Sequence, residues 1–76
     1  MPKNKIKVLN RKSKIGDIVM NKLDCESIGL LLYFMDFEGS KSPMVFWLSG
    51  WRKGSTDWIH HNNALPVEII EGSLEF

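Results

Sequence analysis

Few residues of this chain sit at spacings that support chemistry. His60 and His61 are adjacent, and neighbours on a strand point to opposite faces, so they could share a metal only if the chain turned between them. Cys25 is the single cysteine. It allows no disulfide within the chain and no thiolate cluster for zinc, and it fits a reducing, intracellular setting. A serine nucleophile would need a Gly-x-Ser-x-Gly elbow, whereas Ser49-Gly50 reads as a hairpin element. Asp36 and Glu38 share a strand face with no third group to separate their pKa values, the pattern of surface acids. The glycines are scattered at turn positions and form no phosphate-cradling loop. The expectation is a protein with no catalytic residues, no metal and no cofactor.

Recognition is the chemistry that remains. Trp51-Arg52-Lys53 lies between Gly50 and Gly54, in a segment too turn-rich for a core strand. An aromatic ring beside two cations suits either stacking on bases or anchoring in a protein interface. The competing reading is that Trp51 folds back as a lid over the end of the fold. Tyr33 and Phe37 are further candidate anchors for a protein partner. A second candidate surface is the amino-terminal segment: Lys3, Lys5, Lys7, Arg11, Lys12 and Lys14 face no acid within residues 1–14, whereas the rest of the chain carries four basic and nine acidic residues. Such an arm can contact phosphate or an acidic protein surface, or fold against its own acidic body.

Elements able to position these residues are short and extended. No window shows the apolar spacing of an amphipathic helix. Five runs instead read as strands: 16–20, 28–37, 44–48, 57–60 and 67–70, each bounded by Gly, Pro, Ser or Asn. Their connections are too short for a crossover helix, so successive strands should be antiparallel. His61 to Leu65 suits a turn or a single 3₁₀ turn. Ile6-Lys7-Val8-Leu9 alternates too briefly to rank with the five. Residues 28–37 are apolar at both parities, which fits a bent, bulged strand buried on both sides or an apolar patch kept for a partner; Gly29 is the candidate bulge or close approach. Trp47 and Trp58 are expected in the core or half-buried beside it. The longest apolar run, Ile28 to Met35, is far short of the ~20 residues of a membrane helix, and no apolar stretch follows the first lysines as in a secretory signal.

The segments GDIV, IGLLLYF, MVFWLSG and TDWIHHNNALPVEII, in that order, resemble the small SH3-like barrel proteins encoded by tailed bacteriophages. The resemblance covers residues 15–70 and rests on fold-determining hydrophobics and glycines. It implies an all-β, SH3-like small barrel of about five antiparallel strands. The expected organisation is a basic arm over 1–14, the barrel over 15–71 and a tail over 72–76. Because this barrel hosts many unrelated roles, function is read from the residues instead: the expectation is a cytoplasmic, non-catalytic binding module, of phage type, that engages a larger host or viral protein complex through barrel loops and the arm. Two alternatives stay open: a nucleic-acid binder using the arm and the Trp51 loop, and a minor structural or assembly component of a virion. No membrane partner is expected, and self-association through strand edges is open.

Overall fold

The apolar runs form strands, and short turns force each against its neighbour. A computed structural model describes residues 5–71. It contains β1 (Lys5–Val8), β2 (Ile18–Asn21), β3 (Asp24–Phe37), β4 (Ser40–Trp47), β5 (Thr56–Trp58) and β6 (Ala64–Glu71), with a 3₁₀ turn over His61–Asn63. All pairs are antiparallel, in one six-stranded sheet of order β1-β6-β2-β3-β4-β5 that does not close. The all-β expectation is met. Among the described residues no helix is long and apolar enough to cross a membrane.

Local chemistry explains the connections. β3 and β4 join through Glu38-Gly39, both at positive φ (50° and 80°), the backbone of a two-residue turn whose twist matches its strands. Asn21 Oδ1 accepts from the Leu23 amide at 3.0 Å and holds the β2–β3 turn. At ~3.3 Å per residue the fourteen residues of β3 would span about 45 Å. The molecule measures 42 Å along its longest axis, so this hairpin sets its shape.

Register decides which side chains are inside. Val19 pairs with Gly29 and Gly29 with Trp47, while Leu31 pairs with Val45. Directly opposed residues share a face, and Val19, Leu31, Val45, Trp47, Ile59 and Ala64 form the main core, with Phe34 packed against it. On the opposite face Met20, Ile28 and Val67 form a second cluster with Ile6, Ile18 and Leu65. It is assembled because β6 changes partner: Ala64, Leu65 and Pro66 pair with β2, and the residues from Val67 onward pair with β1.

A bulge in β3 separates this doubly covered half from the rest. The register slips between Leu31 and Tyr33, so Leu31 and Phe34 both face the core although they are three residues apart. Tyr33, Met35 and Phe37 turn outward and are exposed. The bulge falls at Leu32 and not at Gly29. Gly29 instead allows the close approach of β4, since a Cβ there would collide with Val45 Cγ1 and lie 2.7 Å from the Phe46 carbonyl.

The register also places Trp58 and the basic segment. Trp47 is fully buried, but Trp58 is 52% exposed, because it pairs with Met44 on the outer face while its neighbour Ile59 fills the core. Within the basic segment, Lys5–Val8 is a strand held along the carboxy-terminal half of β6. Lys5 and Lys7 therefore lie on an edge strand, where lysine discourages pairing with further chains. Lys3 and the tail 72–76 lie outside the described residues.

Replacement Gly29→Ala is expected to destabilise the fold by about 1–3 kcal/mol in urea unfolding, the cost of overpacking against β4. Gly39→Ala, where a Cβ meets open space, is expected to cost about 1–2 kcal/mol through its positive φ alone. A Gly29→Ala protein as stable as the wild type would contradict the register.

Candidate functional site

Arg52 is the centre of the loop that carries the predicted Trp51-Arg52-Lys53 contact. The loop runs between β4 and β5, with Gly50 and Gly54 both at φ 86°. It is tied down by the Trp47 amide donating to the Ser55 carbonyl at 2.8 Å and the Gly54 amide donating to the Trp47 carbonyl at 2.8 Å. The Arg52 guanidinium lies 4.5 Å from the Trp51 ring centroid and 5.9 Å from that of Trp47. It also donates to the Trp58 carbonyl at 3.3 Å and stands 3.5 Å from Asp57. Arg52 therefore spends its charge inside the molecule, clamping the loop to β5. Trp51 remains 75% exposed and is no lid; Lys53 is exposed beside it.

Tyr33 and Phe37 stand elsewhere. They share the outer face of β3, and Phe37 pairs with Ser40 at the start of β4, whereas Trp51 follows the end of β4. At ~3.3 Å per residue those two ends are roughly 25 Å apart. The structure brings Tyr33 together with residues not among the candidate contacts: Met44 lies opposite it on β4, and Trp58 opposite Met44 on β5. The adjacent row is Leu30, Phe46 and Thr56, and towards the hairpin tip follow Met35 with Ser42 and Phe37 with Ser40. None of the residues in these rows is charged. Asp36 and Lys41, opposite each other, belong to the other face.

The basic segment is partly committed to the body. Arg11 makes a two-pronged ion pair with Asp17 at 2.7 and 3.0 Å, and the Lys14 amide donates to the same carboxylate at 2.8 Å. Asp17 also lies in the sheet framework, since its carbonyl accepts from the Leu31 amide at 2.9 Å. Hydrogen bonds from Arg11 hold the Asp17 carboxyl below its ordinary value, against a partial burial that pushes it up. This pair ties the connection after β1 to the residue preceding β2, and Arg11 also donates to the Lys12 carbonyl at 3.1 Å.

Between that turn, the β3–β4 hairpin and the 3₁₀ turn lies a cleft of about 650 Å³. Leu9, Phe34, Ala64, Leu65 and Pro66 make its apolar lining, and Arg11, Lys12, Lys41 and His61 its basic one. The His60 and His61 rings stack with centroids 4.3 Å apart. Among the described residues no three His, Cys, Asp or Glu side chains gather where a metal could be held.

Comparison with family models, characterised proteins and solved structures finds no match.

The Arg11–Asp17 pair makes a signed pH prediction. A depressed folded pKa stabilises fully above the unfolded carboxylate value of ~3.9 and is lost as the pH falls through the lower folded value. The stability difference between wild type and Asp17→Asn should therefore be largest near neutrality and shrink on acidification through that window, read from urea midpoints across pH. A difference independent of pH would contradict the pair.

Proposed function

We propose that this chain is a non-catalytic protein-docking module that presents the uncharged outer face of β3, β4 and β5 to a larger protein. The observation that carries the reading is composition by register: Tyr33, Met44 and Trp58 form one row, flanked by Leu30, Phe46, Met35 and Phe37 with only Ser and Thr among them. Depletion of charge with enrichment of Tyr, Trp, Phe and Met marks the buried centre of protein interfaces. Aromatic anchors of this kind carry most of the binding energy. Exposed apolar patches rimmed by polar residues on a monomer mark interaction sites.

The scaffold under this face is, in our reading, an SH3-like barrel with β1 added at its edge. β2, β3, β4 and β5 lie side by side in the order of the segments on which the resemblance to bacteriophage SH3-like proteins rests, and β6, after a 3₁₀ turn, returns beside β2. The partner is accordingly a component of a phage or host complex bearing an apolar surface. A nucleic acid does not suit the face, which offers no cation to a phosphate. A second copy of the chain gains little from strand addition, because β5 has three residues and β1 carries Lys5 and Lys7.

A photo-crosslinking residue in place of Thr56, in the cell where the protein is made, tests this. The expected product is an adduct with a different protein, lost when Tyr33 and Phe37 are both changed to Ser. Those exposed changes should alter stability by only about 0.5 kcal/mol each and weaken the partner by tenfold or more, the scale of aromatic hot spots above ~1.4 kcal/mol. An adduct only with a second copy, or one indifferent to Tyr33 and Phe37, would overturn the proposal.

A further inference from the structure

We propose that the cleft between the β1–β2 connection, the β3–β4 hairpin and the 3₁₀ turn binds a nucleotide unit. The phosphate is held by Lys12, Lys41 and His61, and the base lies on the Phe34 and Leu65 lining. This site is independent of the docking face, since Tyr33 and Phe34 are consecutive on β3 beyond the bulge and so face opposite ways.

Charge segregation is the first support. The whole chain has nine acidic and ten Lys or Arg side chains, yet no carboxylate lines this cleft, while Arg11, Lys12, Lys41 and His61 do. They arrive from separate elements: Arg11 and Lys12 from the β1–β2 connection, Lys41 from β4, His61 from the 3₁₀ turn. Asp17 neutralises Arg11, and Lys41, although opposite Asp36 across the β3–β4 pair, makes no ion pair with it among the described residues, so Lys12, Lys41 and His61 are the groups that face an anion. Lysine positions phosphate as a point charge and needs no fixed approach angle.

The second support is the cleft's shape and its apolar part. About 650 Å³ lies within the range of sites that enclose small organic ligands, which are mostly apolar with a few placed polar groups. Phe34 is packed against the main core and so offers a rigid ring, the kind of surface on which bases stack. Ser13 and Asn62 also line the cleft and supply hydroxyl and amide groups for a base edge. An acidic peptide would satisfy the cations but bring no flat apolar body for Phe34 and Leu65. A free nucleotide and one unit of a single strand share the required chemistry.

The test uses the full chain at low salt, with a fluorescein-labelled oligothymidylate followed by anisotropy and thymidine 5′-monophosphate followed by NMR shifts. Binding of the oligonucleotide alone identifies a single strand as the source, and saturation by the mononucleotide identifies a free nucleotide. In either case the Phe34 ring resonances should move. Lys12→Glu with Lys41→Glu should weaken binding at least tenfold, whereas Lys22→Glu, at the β2–β3 turn, should leave it nearly unchanged. For the oligonucleotide, two lysine–phosphate contacts predict a slope of about −1.4 in log affinity against log salt. The proposal is overturned by no binding at low salt, by equal losses in Lys22→Glu and the double variant, or by inorganic phosphate or polyglutamate binding as well as the nucleotide.

Discussion

A single extra residue in β3 organises this molecule. Leu32 is inserted where Leu31 pairs with Val45 and Tyr33 with Met44, and the insertion exchanges the faces of every residue that follows. Without it, Leu31 and Phe34 could not both contact the main core, because residues three apart on a regular strand point to opposite sides. With it, the first half of β3 is covered on both faces, by the cluster around Trp47 and by the cluster around Met20 and Val67. The second half covers only one. What remains outside is the row of Tyr33, Met44 and Trp58.

Stability and recognition are thereby divided between the two halves of one strand. A chain of this length has roughly 4 to 11 kcal/mol of stability at ~0.05–0.15 kcal/mol per residue, and loss of a buried tryptophan such as Trp47 costs about 3 to 5 of it. The core can spare little, so recognition falls to residues whose removal does not open it. The outer face meets that condition, and so do the lysines of the basic cleft, whose apolar floor is borrowed from the core through Phe34 and Leu65. Arg52 illustrates the opposite case: it is a cation in an exposed loop whose charge is absorbed by Trp47, Trp51, Asp57 and the Trp58 carbonyl.

Strands bounded by glycine and proline were legible in the sequence, and so was the 3₁₀ turn near His61, because turn chemistry is local. The phase of β3 was not. Residues 28–37 are apolar at both parities, so a period of two is present without a sign, and only pairing with β4 places the bulge at Leu32. Trp58 stayed open for the same reason: tryptophan on a strand suggests core or half-core, and only the register with Met44 sets its face. β1 has four residues of weak alternation and exists through β6, at the far end of the chain. The basic cleft was invisible because Lys12, Phe34, Lys41 and His61 are gathered by topology and share no local motif. The basic segment itself was legible as charge, but Arg11's commitment to Asp17 depends on where that carboxylate sits in the sheet.

The most direct test of the parity exchange is a nuclear Overhauser spectrum of the free protein. The account predicts contacts from the Tyr33 ring to the Met44 methyl and onward to the Trp58 ring, with Phe34 seeing main-core side chains. Contacts from Phe34 to Trp58, with Tyr33 among the core resonances, would contradict the bulge and both surfaces derived from it.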